Sequence, residues 1–205
     1  MTKLLAACGA ALLIIAPASV LAAPAAAASG SGGGDSGAAV AGEAATLGPN
    51  KFVWADGVSM QPVSVVISIA DQKAYVYRGE KLIAASTVST GKDGKETPVG
   101  VFPILQKEES HKSNLYDAAP MPFMQRLTWD GVAIHAGNNP GFPASHGCIR
   151  VPTAFAKKLF AVTSVGSMVE VTDLPAGEGW SPPVPYDSST ETANANGDQL
   201  TGAAQ

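Results

Sequence analysis

The residues best equipped for chemistry stand in one short run, Ser145-His146-Gly147-Cys148-Ile149-Arg150, with a second histidine, His135, thirteen positions ahead of the cysteine. A free thiol has a pKa of about 8.5, so a neighbouring base or cation must raise its small thiolate fraction at neutral pH. His135 ends the apolar run Val132-Ala133-Ile134 and is followed by Ala136-Gly137-Asn138-Asn139-Pro140-Gly141. That loop of turn formers can fold the chain back and bring Cys148 against the end of the histidine strand, making His135 the candidate general base. His146, two residues before Cys148, projects to the same face of an extended segment and can orient a substrate or add positive potential. Gly147 has no Cβ, so a substrate carbonyl can approach its backbone closely. The N–H groups of Gly147 and Cys148 could then meet a developing oxyanion. Arg150 adds a fixed charge suited to a substrate carboxylate. Nucleophile, base, amide donors and carboxylate clamp together describe acyl transfer through a thioester.

Two other readings use the same residues. Zinc could take His135, His146 and Cys148, but only three ligands are present and none of the usual paired spacings occurs. A buried structural cysteine is the default for a lone thiol, yet the polar Ser145-His146-Gly147 makes an odd core segment.

The ends of the chain place this thiol. Met1-Thr2-Lys3, the apolar run Leu4 to Ile15 and the small residues up to Ala22 predict a secretory signal over 1–23. Pro17, Pro24 and the abundance of alanine make the same span a poor transmembrane helix, so no stable membrane insertion is expected after cleavage. Cys8 falls inside the signal core, which leaves Cys148 as the single cysteine of an exported, periplasmic or wall-located protein, where an unpaired thiol is a chemical liability. The formal charge of −4 becomes −5 once Lys3 is removed with the acid-free signal, which argues against nucleic acid as a partner.

The elements that must position the motif lie between two low-complexity segments. Residues 24–49 are Ala, Gly and Ser with isolated acids and read as a flexible linker; residues 176–205, Pro-rich and then polar, read as a disordered tail. Residues 50–175 are the folded domain. Val63, Val65, Ile67 and Ile69 alternate with other residues as a strand, Ala70-Asp71-Gln72 turns into a second strand at Lys73–Arg78, and Gly79-Glu80 into a third at Leu82–Thr90. Further strands are expected at Val99–Leu105, Met124–Trp129, Val132–His135 and Met168–Thr172. One helix is expected from Thr153 to Val162, with Pro152 ahead of its first turn and Phe155, Leu159 and Val162 on one face. The expected fold is mainly β, sandwich-like mixed sheets with one packed helix. Thr97-Pro98-Val99-Gly100 reads as a register-setting turn, and His111, in Lys107–Ser113, as a solvated loop residue. Tyr116 and Met121-Pro122-Phe123 are candidates to line a binding groove. Packing accounts equally well for Trp54 and Trp129.

The run Ile134-His135…Ser145-His146-Gly147-Cys148-Ile149-Arg150 resembles the signature of the L,D-transpeptidase catalytic domain (YkuD-type) family. Upstream, Val66-Ile67-Ser68, Gln72, Tyr75-Val76-Tyr77 and Val88-Ser89-Thr90-Gly91 resemble its opening hairpin, Thr97-Pro98-Val99-Gly100-Val101-Phe102 its Thr-Pro-x-Gly-x-Phe turn, and Met121-Pro122-Phe123-Met124 the approach to its histidine strand. The resemblance covers about residues 63–172. It implies Cys148 as acyl-accepting nucleophile, His135 as base, Ser145, His146 and Gly147 as residues shaping the site, and Arg150 close to substrate, with no metal or organic cofactor. The substrate class it implies is peptidoglycan stem peptides: the bond before the terminal D-alanine of a tetrapeptide is attacked, D-alanine leaves, and the acyl group passes to an amine of a neighbouring stem as a 3→3 cross-link. Carbapenem-type β-lactams are the implied inactivators. The His135–Ser145 connection is shorter than in many members, which leaves open the acceptor: an amine, or water as in an L,D-carboxypeptidase or cross-link hydrolase using the same Cys/His site. A non-catalytic wall-binding module is the reading from a different class.

Overall fold

The computed structural model describes residues 36–57, 59–113 and 118–176; the expected signal segment, the start of the expected linker, Tyr116 and the tail beyond 176 lie outside them. The chain is mainly β, in two mixed sheets. β1 (Phe52–Trp54), β2 (Val63–Ser68), β3 (Lys73–Arg78), β4 (Lys81–Thr87), β5 (Gly100–Pro103) and β10 (Met168–Thr172) form the larger, in the order β1-β4-β3-β2-β10-β5. β6 (Gln106–Lys112), β7 (Pro120–Arg126), β8 (Ala133–Ala136) and β9 (Ile149–Val151) form the smaller in chain order. β2 is antiparallel to β3 and parallel to β10, and a parallel pairing needs a long crossover. Here that crossover contains the whole second sheet and the helix α2 (Thr153–Val162).

The expected strands at 63–69, 73–78, 82–90 and 168–172 and the expected helix are present, with ends shifted by a few residues at most. Strand β2 is buried along all six residues, so it is covered on both faces. Its inward side, Val63, Val65 and Ile67, joins Val76, Ile134, Ile149, Phe155 and Leu159 in one core between the sheets and α2. Phe155 is fully buried, with the rings of Phe52 and Trp54 at 5.8 and 5.7 Å. Trp54 is thus a packing residue, whereas Trp129 is 76% exposed.

Two expectations are corrected. The flexible linker over 24–49 is not irregular throughout: Ser36–Ala45 forms a helix, α1, whose Val40 and Ala44 are buried against Tyr75 and Ala85 on the outer side of the larger sheet. Alanine favours helix, and small residues let the helix backbone lie close to the strands. The polar stretch expected as a loop at Lys107–Ser113 is mostly strand β6, paired along its length with β7. A hydrogen-bonded ladder needs no apolar alternation where the strand is a sheet edge open to water.

Candidate active site

Sheet periodicity places the site. β8 and β9 run parallel, with Ile134 opposite Ile149, His135 opposite Arg150 and Ala136 opposite Val151. Side chains alternate between faces along each strand. Ile134, Ala136, Ile149 and Val151 therefore enter the core, while Ala133, His135, Cys148 and Arg150 share the opposite face. That face lines a cavity of about 600 Å³ that contains His135, Ser145, His146, Cys148 and Arg150. Sequence reasoning thus names residues that the fold does bring together.

His135 is 7% exposed, and its Nδ1 lies 2.8 Å from the carbonyl oxygen of Ala136. A carbonyl only accepts, so Nδ1 carries the hydrogen and Nε2 is the basic nitrogen. Burial pushes the imidazole pKa below its ordinary value; the bond to Ala136 opposes this, and the charges of Arg150 and His111 add to it. The Cys148 thiol is pushed up, mainly by burial, against the backbone amide of Ala133 and the charges of Arg150 and Arg126. Its Sγ lies 3.5 Å from the Gly131 carbonyl, as S–H donor. Both shifts favour thiol beside neutral imidazole over a preformed ion pair.

The motif loop is held by polar contacts to distant segments. The amides of Ala144 and Ser145 both donate to the Thr90 carbonyl at 3.0 Å, and Arg150 exchanges backbone bonds with Ser89. Thr90 is fixed by buried Gln72, whose Nε2 donates to Thr90 Oγ1 at 2.7 Å and whose Oε1 accepts from the Thr90 amide at 3.0 Å. Asn139, also buried, donates to the Thr87 carbonyl at 2.7 Å and pins the loop between His135 and Ser145. Inside the motif, Ser145 Oγ donates to the Cys148 carbonyl at 2.5 Å and accepts from the Gly147 amide at 3.1 Å. The Gly147 N–H is therefore committed within the loop rather than aimed at a substrate oxygen. The glycine is needed for its backbone instead, since φ is +111°.

Thr97 does more than set a register. Its buried Oγ1 donates to the Gly147 carbonyl at 2.9 Å and accepts from the Gly91 amide at 2.9 Å. Thr97→Val leaves both groups unpaired, and we expect a loss of about 2 kcal/mol of stability by urea denaturation, with Thr97→Ser close to wild type. Gln72, Thr90, Asn139 and Arg126 were not named as site residues from sequence, although the family-like segments contain the first two. His146 lies exposed at the cavity rim and Arg150 donates to the Ala144 carbonyl at 3.4 Å. Among the described residues no three His, Cys, Asp or Glu side chains gather as a metal site.

Comparison with known proteins gives the family. The family model for the L,D-transpeptidase catalytic domain (YkuD) matches residues 62–171. L,D-transpeptidase 1 of Mycobacterium tuberculosis is 28% identical over 123 residues, 52% of this chain and 49% of that protein. The chain thus matches about half the length of this curated relative. Among solved structures, an L,D-transpeptidase from Stackebrandtia nassauensis is 25% identical with a TM-score of 0.51, covering 59% of this chain and 60% of that one. The L,D-transpeptidase LdtMt1, solved in complex with imipenem, is 25% identical with a TM-score of 0.51, covering 62% and 69%. Since the matched span takes in more than half of the 205 residues and the whole cysteine motif, the chain belongs to the L,D-transpeptidase catalytic domain family.

Proposed function

We propose that this chain is an exported cysteine L,D-transpeptidase acting on peptidoglycan stem tetrapeptides. The observation that carries the proposal is the orientation of His135: with Nδ1–H held by the Ala136 carbonyl, Nε2 is the basic nitrogen, and His135 shares a sheet face and a cavity with Cys148. In the first half-reaction Nε2 takes the thiol proton as sulfur attacks the carbonyl before the terminal D-alanine. The Cys148 amide, the motif donor that remains once Gly147 is committed to Ser145, stabilises the oxyanion. The C–N bond then breaks, His135 returns the proton to the departing nitrogen, and D-alanine leaves. Arg150 meets a substrate carboxylate, and Ser145, His146 and Gly147 shape the loop around the sulfur. The thioester finally passes its acyl group to an amine of a neighbouring stem, giving a 3→3 cross-link.

Incubation with disaccharide-tetrapeptide is expected to yield cross-linked dimer and free D-alanine by mass spectrometry, and Cys148→Ala is expected to yield neither. Tripeptide without dimer would reject transpeptidation, and full product formation by the variant would reject the nucleophile. Imipenem, bound to LdtMt1 in the solved relative, is a direct probe of the thiol: mass should be added to wild type and not to Cys148→Ala. Export rests on residues 1–23 and is tested by sequencing the N-terminus of the protein recovered from fractionated cells.

A further inference from the structure

A second cavity, of about 410 Å³, opens beside the first and contains His111, Arg126, Trp129 and Asp130. The two share Ser113, Met121, Asp130 and Gly131. Gly131 accepts the S–H of Cys148, and Met121 and Met124 pack against that cysteine, so both cavities reach the surroundings of one sulfur. His111 comes to this face through a local irregularity. Opposite this part of β6, Phe123 has a φ of +56° and breaks the regular alternation of β7. On β6 itself, Glu108 and His111, three residues apart, end on one side and join.

His111 Nδ1 lies 2.6 Å from Glu108 Oε2, and its side chain is 12% exposed against 39% for the glutamate. A carboxylate only accepts, so Nδ1 carries the hydrogen and Nε2 is the basic nitrogen. This repeats the arrangement of His135 with a carboxylate in place of a carbonyl. The charged groups around His111 are Glu108 on its own strand, Arg126 on β7, Asp130 in the β7–β8 turn and, within electrostatic reach, His135 on β8.

Proton balance gives this second histidine a task, on the transpeptidase reading above. An amine acceptor arrives as an ammonium ion, and amide formation takes two protons from its nitrogen. One returns through His135 to the sulfur that leaves. His135 cannot also hold the other, because a protonated imidazole is no longer a base. We propose that His111, oriented by Glu108, takes the first proton from an ammonium acceptor drawn in beside Asp130. The neutral amine then attacks the thioester carbonyl, the C–S bond breaks with its electron pair going to sulfur, the second nitrogen proton passes through His135 to the thiolate, and His111 releases its proton to solvent.

The test compares acceptors in the full-length protein with tetrapeptide as donor. Labelled D-alanine, the amine the first step expels, is an ammonium ion at neutral pH and reads the transfer in reverse. Hydroxylamine is already uncharged there and needs no second base. For His111→Gln, incorporation of labelled D-alanine should fall on the order of 100-fold. Hydroxamate formation and imipenem adduct formation should stay within about twofold of wild type, since neither asks for that proton. Raising the pH should narrow the D-alanine deficit as more acceptor arrives neutral. Glu108→Gln should show the same pattern, more weakly. An equal loss with both acceptors would assign His111 a structural role and overturn the proposal, as would unchanged incorporation. Failure of the underlying reading is separate: wild type would release tripeptide and incorporate neither acceptor.

Discussion

Replacing His135 by glutamine is expected to slow acylation of Cys148 by a factor on the order of 10² to 10⁴, the usual contribution of a positioned base. The two shifted pKa values say why the loss falls at this end of the range of mechanisms. Burial lowers the imidazole and raises the thiol, so at neutral pH the resting site holds S–H and a neutral ring. Nothing then replaces the base: without it, the residual rate depends on the small fraction of thiolate that ionises unaided. The pH profile carries the sign. Acylation needs neutral His135, so the rate should rise with pH through a value below the ordinary histidine value and level off above it. In His135→Gln the rate should instead climb with pH into the alkaline range, following ionisation of a thiol raised above its ordinary value. Adduct formation with imipenem, followed by mass spectrometry between pH 5 and pH 10, separates the two curves. A wild-type profile that fell on passing above neutral pH would point to a preformed thiolate–imidazolium pair and would sink this account.

The parts of the molecule legible in the sequence are those where a local pattern meets a local cause. His135 stands between the core residues Ile134 and Ala136, Cys148 and Arg150 alternate with Ile149 and Val151, and the parallel register turns these patterns into one reactive face and one core face. What the sequence hides is of two kinds. Strand β6, with Lys107, Glu108, Glu109 and His111, has no apolar period because it is a sheet edge whose side chains are half-buried or exposed and none of which enters the core. Helix α1 hides among alanines and glycines because only Val40 and Ala44 need to be buried. The other kind is long-range polar contact. Gln72 with Thr90, Thr97 with Gly147 and Asn139 with Thr87 join residues 18 to 52 positions apart and leave no periodic trace. The Gly147 amide belongs here too: residue type alone suggested an oxyanion donor, and only the placement of Ser145 Oγ shows that amide occupied. Family-like segments point to Gln72, Thr90 and Thr97 without saying what they do; the structure makes them the supports of the cysteine loop.

The second large effect follows from that support, at Gly91→Ala. A Cβ on Gly91 would lie 1.9 Å from the Lys95 carbonyl oxygen and 2.8 Å from both Glu96 C and Thr97 N. These are backbone atoms, so no side chain can swing aside. Either the turn through Lys92–Lys95 retreats or Gly91 is pushed away from it. Each route disturbs the cysteine loop, because Gly91 forms a bridge with Ser145, the Lys92 amide donates to the Ser145 carbonyl at 3.1 Å, and the Gly91 amide is tied through Thr97 Oγ1 to Gly147. Overpacking of this kind costs typically 1–3 kcal/mol and sometimes more; with the Thr97 contacts strained as well, we expect about 3 kcal/mol by urea denaturation. Acylation should fall by at least roughly tenfold even in protein that remains folded, since displacements of about 1 Å at a reacting centre can cost 10²-fold. The comparison with Thr97→Val separates the two sources. That variant breaks the hydrogen bonds without adding volume, so it should lose less stability and less acylation than Gly91→Ala. Equal losses would mean that the hydrogen bonds, and not the close approach of the turn, hold Cys148 in place.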